Sequence, residues 1–235
     1  MGKVLKSPGG HMIPNPQKEA LDLCCCQGGA TRGYQEIGLR VTGLDLEPQP
    51  RYIGEEFIQA DAVAYVLENL EEIRQRFIFI HASPPCQGYS RAWKIQQREH
   101  PRLIGTLRDA LNLTGLPWVI ENVEEARDEL QDPVMLCGTM FGHRTYRHRL
   151  FEAGGGLILS QPDHPQHMAP LTKMGRPRRP GEFAHYVGNF SGVQEAREDM
   201  GMPWANRDGL REAIPPSYAR WVGEHVQAQI MKFAA

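Results

Sequence analysis

Between residues 19 and 122, short apolar runs alternate with segments of helical period, and most of these runs stop at or next to an acid, a glycine or a proline. No other feature restricts the fold as strongly. Strands separated by helix-length crossovers pair in parallel, and a parallel sheet must be covered on both faces. The runs at 19–25, 39–46, 57–60, 77–82 and 118–120 read as five buried strands. Residues 30–37, closed by Gly38, and residues 101–113 read as helices. So does 62–74, where Val63, Val66, Leu67, Leu70 and Ile73 recur at helical spacing. The expected class is α/β: a doubly wound, mostly parallel sheet with a small loop-rich insertion. Ligands of such sheets sit beyond the carboxyl ends of the strands, and most of the chemically notable residues fall there.

The chain divides by pattern into four stretches. Residues 1–17 lack hydrophobic period and read as a flexible lead-in; 18–152 carry the alternation. From 153 to 190, three adjacent glycines, several prolines, histidines and a basic run replace it. Residues 191–235 return to helical pattern, with Pro215 and Pro216 at the start of a closing helix. With 235 residues, 41% hydrophobic, the chain suffices for one sizeable core. A net charge of −2 excludes a uniformly basic nucleic-acid coat, so any such surface is local. The five cysteines, three of them adjacent, do not suit a disulfide framework. No signal-peptide pattern or transmembrane-length apolar run occurs, so a reduced, cytoplasmic protein is expected.

Two strand ends carry reactive groups. Cys86 follows Pro84-Pro85 after the fourth strand, on a loop whose rigidity would hold the thiol at the sheet's mouth. A buried, inert thiol is the ordinary alternative. Glu121 ends the fifth strand and lies beside Cys86 if those strands are neighbours; otherwise it is a cap or surface charge. A thiolate beside a carboxylate suits addition to an electron-poor ring carbon, with the acid bonding a ring nitrogen. Asp22, Gly28, Gly29, Asp45 and Asp61 surround the first three strand ends, as ribose-binding acids and close-approach glycines or as plain turns. Arg147 and Arg149, if on one strand, share a face, as a phosphate or base contact or as solvated charges. His164 and His167, with Asp163, have no cysteine near them in sequence, so no metal site is expected.

The ordered set of motifs resembles the cytosine-5 DNA methyltransferases. The stretch from Leu21 to Gly29 resembles the family's cofactor motif, and Pro84-Pro85-Cys86-Gln87-Gly88-Tyr89-Ser90 its catalytic loop. Glu121-Asn122-Val123 matches the acidic motif, Arg147-His148-Arg149 the arginine motif, and the stretch from Ala213 to Ala219 the last one. The sheet would then be of the Rossmann-like, S-adenosylmethionine-dependent methyltransferase type. The resemblance makes residues 18–152 the cofactor-binding and catalytic domain, and 153–190 an unusually short target-recognition insertion, as in compact virus-encoded members. S-adenosylmethionine would be held by Asp22, Leu23, Cys24, Gln27, Gly28, Gly29, Asp45, Leu46, Asp61, Ala62, Pro84 and Ala213. Cys86, Glu121, Arg147 and Arg149 would be catalytic, and the partner duplex DNA with a flipped cytosine. Gln87, Ser90, Arg144, Lys173, Arg176, Arg178 and Arg179 would contact that DNA. Neither a membrane nor an obligate protein partner is implied. The chain departs from the family pattern at Cys24 and Cys26, where an aromatic residue and a glycine are usual, at Thr145 for glutamine, and at Arg211-Glu212 for Gly-Asn. An RNA cytosine-5 methyltransferase and a non-catalytic DNA-binding relic of the fold are the competing readings.

Overall fold

In the computed structural model, which describes residues 18–89, 102–173 and 176–233, the alternation becomes a seven-stranded sheet. Its strands are β1 (Glu19–Leu23), β2 (Arg40–Asp45), β3 (Glu56–Gln59), β4 (Phe79–Ala82), β5 (Trp118–Asn122), β6 (Val134–Leu136) and β7 (Arg149–Gly154). Their spatial order is β3-β2-β1-β4-β5-β7-β6. The first five run parallel, and β7 inserts antiparallel between β5 and β6. β6 and β7 have no counterpart among the five runs read as strands; β6 is too short to announce itself in sequence.

The helices are α1 (Gly29–Glu36), α2 (Ala62–Glu68), α3 (Leu70–Arg76), α4 (Ile104–Thr114), α5 (Val193–Met200), α6 (Arg207–Glu212) and α7 (Pro216–Phe233). Neighbouring strand residues face opposite sides, which is how one sheet builds two cores. Leu21, Ile80 and Ile120 pack with Val66, Ile73, Leu107 and Leu111 on one face. Ala20, Phe79 and Val119 pack with Tyr34, Val222 and Val226 on the other. α1 lies so close to α7 that a Cβ on Gly33 would come within 2.1 Å of the Pro216 carbonyl oxygen.

The single helix expected over 62–74 is two. Asn69 leaves helical geometry, and its side-chain amide donates to the Tyr65 carbonyl at 2.8 Å, an alternative to continuing the helix. A third, smaller core, including Tyr186, Phe190, Met200, Met202 and Leu210, sits beneath the segment that returns toward the sheet. Among the described residues no helix is long and apolar enough to cross a membrane.

Candidate active site

The strand order reverses between β1 and β4, and a cleft of about 270 Å³ opens beyond the carboxyl ends of the parallel strands. One end of its lining is formed by Asp22, Gly29, Asp45, Leu46, Asp61 and Ala62, and the other by Pro84, Cys86, Gln87, Glu121 and Arg149. β4 and β5 are direct neighbours, which is why Cys86 and Glu121 meet. Asn122 secures the thiol's loop from the same strand: its amide donates to the Pro84 carbonyl at 2.9 Å. Asn122 belongs to the acidic motif, but its role required the neighbouring loop to be seen.

Glu121 is almost wholly enclosed and forms an ion pair with Arg149, Nε to Oε1 3.1 Å. Burial raises its pKa, against the opposing pull of the Arg149 charge and a bond from Ser83. Behind it runs a buried polar chain absent from the sequence reading: the Tyr34 hydroxyl meets His81 Nδ1 at 2.7 Å, and His81 Nε2 meets the Ser83 hydroxyl at 2.8 Å. Burial drives the His81 pKa down to about 3, so the ring is neutral and relays hydrogen bonding without adding charge. Burial also raises the pKa of Cys86, with Arg149 opposing.

At the other end, Asp22 lies at the floor of the cleft. Its Oδ2 accepts from the Thr31 hydroxyl at 2.6 Å, while Oδ1 is buried without a partner. Burial raises its pKa to about 7. An orphaned carboxylate oxygen facing a cleft is the acceptor a cationic ligand group would use. Gly29 provides the close approach beside it, since a Cβ there would stand 2.4 Å from the Ile214 carbonyl oxygen. Asp45 accepts the backbone N–H groups of Cys26 and Glu47, and Asp61 caps α2 through the Ala64 N–H at 2.9 Å. Both therefore serve the turn geometry while lining the cleft.

Asp22 yields a measurable consequence. Because its pKa is higher in the folded chain than the unfolded value of 3.8, its contribution to stability is complete below about pH 4 and is lost as pH rises through about 7. A shift of this size corresponds to about 4 kcal/mol for the unliganded protein. Asp22→Asn should flatten that slope, seen in denaturant unfolding at about pH 5 and pH 8. An unchanged slope would mean that the carboxyl is not the group responsible.

The three-cysteine turn is strained. Cys24 and Cys26 hold left-handed backbone, φ 58° and 48°, where glycine is the usual occupant. The two departures Cys26 and Glu212 face each other, Sγ to Oε2 3.6 Å, at the cleft margin.

The chain shares its fold with solved structures. Over 91% of its length, and 99% of the other chain, it superposes at a TM-score of 0.61 and 14% identity on a prophage-encoded E. coli protein provisionally named a DNA modification methyltransferase. Over 90% and 99% it superposes at 0.52 and 11% identity on the Dnmt2 methyltransferase of S. pombe. The fold is a methyltransferase fold. No protein-family model and no curated sequence relative matches the chain.

Within this methyltransferase fold, some anticipated site residues lie elsewhere than expected. Leu23 is buried in the core, Gly28 caps the start of α1 in left-handed geometry, and neither lines the cleft. Gln27 instead clamps the return segment, exchanging hydrogen bonds with Asn206 at 2.9 and 3.1 Å. Arg147 does not share a strand face with Arg149. It precedes β7 with φ 35°, and its buried guanidinium donates to the carbonyls of Tyr186, Leu210, Arg211 and Ala213. That geometry makes it a strut for the return segment rather than a group facing the cleft. Ala213, which the strut holds, does line it.

The cations expected to meet DNA are mostly engaged within the protein. Arg144 and Arg178 both pair with buried Asp199, which also accepts the Tyr186 hydroxyl, and Arg176 pairs with Glu182. Lys173 and Arg179 are exposed and make no ion pair among the described residues. Gln87 is exposed at the cleft, and Ser90 lies outside the described residues. His164 and His167, distant from any cysteine in sequence, have one beside them in the fold. The pairing of Leu136 with Arg149 sets Cys137 beside His148, and His164 and His167 fold onto both.

Proposed function

We propose that the protein is an S-adenosylmethionine-dependent methyltransferase acting on carbon 5 of cytosine in DNA. The observation that carries this reading is the placement of Cys86, Glu121 and Arg149 at one end of a single cleft whose other end presents the unpartnered Asp22 oxygen. The residues at that second end fit the cofactor. Asp22 would accept its ammonium group, Asp45 its ribose hydroxyls, and Leu46, 62% exposed at the cleft, would cover its adenine. Bound there, S-adenosylmethionine would supply an electrophilic methyl group.

Cys86, as thiolate, adds to carbon 6 of a cytosine turned out of the duplex, and the electron pair of the 5,6 double bond moves into the ring. Burial raises the pKa of Glu121, which eases its donation of a proton to the ring nitrogen as negative charge builds there. Arg149 steadies the acid and balances the charge. Addition leaves carbon 5 electron-rich, and that carbon would accept the methyl group supplied by S-adenosylmethionine held at Asp22 and Asp45. Loss of the carbon 5 proton to a base restores the double bond and expels Cys86.

Bisulfite sequencing of DNA from cells expressing the chain tests the reading. The expected result is 5-methylcytosine in a short sequence context. Methylated transfer RNA with unmodified DNA would favour the RNA enzyme, and neither product would favour the relic. Lys173 and Arg179 are the cations best placed to meet phosphate. Replacing both with alanine should lower the slope of log affinity against log salt by about 1.8, at about 0.9 per contact. An unaltered slope would remove this loop from the DNA surface.

A further inference from the structure

Outside the cleft, four metal-binding side chains converge. Cys137 follows β6, His148 immediately precedes Arg149 at the start of β7, and His164 and His167 come from the irregular segment beyond that strand. Cys137 Sγ lies 3.3 Å from His167 Nε2, which lies 3.3 Å from His148 Nε2; His164 Nε2 is 3.2 Å from His148 Nε2. All four ligand atoms fall within 4.8 Å of one another. A tetrahedral zinc ion, with bonds of about 2.0 Å to nitrogen and 2.3 Å to sulfur, sets its ligands about 3.3–3.6 Å apart. The three separations of 3.2–3.3 Å match that spacing.

The surroundings are those of a metal site. Glu124 Oε2 lies 2.7 Å from His148 Nδ1, so the carboxylate accepts a hydrogen bond from Nδ1–H and leaves the Nε2 lone pair free for a metal. Tyr146 stacks on the His167 ring at 3.6 Å and is itself held by the Ala169 carbonyl. The Thr139 hydroxyl, 3.0 Å from Cys137 Sγ, can donate to a thiolate.

We propose that Cys137, His148, His164 and His167 bind one structural zinc ion that fastens the recognition insertion to the catalytic sheet. Four protein ligands close the coordination sphere, which marks a structural rather than a catalytic metal. The need is visible locally. Residues 158–169 contain no helix or strand and are largely exposed, with Ile158 70% and Met168 80% accessible, so apolar burial contributes little to holding them. A metal crosslink supplies the missing constraint, and its His148 ligand adjoins Arg149.

The test is zinc content and Zn²⁺ binding of the full chain. One zinc per chain is expected, removable by a chelator and restored by Zn²⁺ alone, and Co²⁺ in its place should give tetrahedral d–d bands with a thiolate charge-transfer band. Cys137→Ser and the exposed pair His164→Ala/His167→Ala should each lose the ion. The histidine pair leaves the buried thiol intact, so it remains informative if the cysteine variant fails to fold. Glu124→Gln should weaken Zn²⁺ binding about 10-fold while keeping the stoichiometry. Folded protein that takes up no Zn²⁺, or variants that bind it as the parent does, would overturn the proposal. So would Co²⁺ spectra without a thiolate band. None of these readouts depends on the methylation chemistry.

Discussion

Cys86→Ala is expected to lower methyl transfer to cytosine by more than about four orders of magnitude, because it removes the covalent route rather than a contact. Binding of S-adenosylmethionine should be little changed, since Cys86 is at the far end of the cleft from Asp22. Transfer of a labelled methyl group to DNA, read beside calorimetry with the cofactor, separates the two effects. Residual transfer within about tenfold of the parent would remove Cys86 from the nucleophile's role. The parent activity should also climb as pH rises, because burial holds the thiol's pKa above its ordinary value and only the thiolate adds to the ring.

Arg147→Met is expected to give the largest loss of stability, without directly removing a group that faces the cleft. Four carbonyls, those of Tyr186, Leu210, Arg211 and Ala213, lose their donor together in a buried setting. Each orphaned buried acceptor costs about 1–3 kcal/mol, and partial rearrangement leaves a net of about 4 kcal/mol. For a chain of this size that lowers Tm by roughly 10 °C or more. Arg147→Lys should recover little, since one ammonium cannot span carbonyls from two segments. Arg149→Ala should instead strongly reduce transfer, at the stability cost of leaving Glu121 buried without its partner. A thermally robust Arg147→Met protein with no activity would reverse the assignment of the two arginines.

This pair of arginines shows where sequence reading ends. Both stand two residues apart in one motif, and a strand pattern would turn them to the same face. The antiparallel β7 begins only at Arg149, and a left-handed residue at 147 swings its side chain toward the return segment. The same limit applies to Gln27, legible as part of a glycine turn but occupied by Asn206 from far along the chain.

The sequence by itself determined the parallel sheet, because strand and helix periods are local properties of apolar spacing. It also placed Cys86, Glu121, Asp22 and Asp45 near strand ends, where the chain must leave the core and can present polar groups to a ligand. The tertiary structure decided which of those groups meet. β4 beside β5 joins thiol and acid, β7 between β5 and β6 brings Arg149 to Glu121, and β6 against β7 sets Cys137 beside His148. The physical reason is that strand order and register depend on how distant segments share a core, and spacing along the chain does not encode those distances.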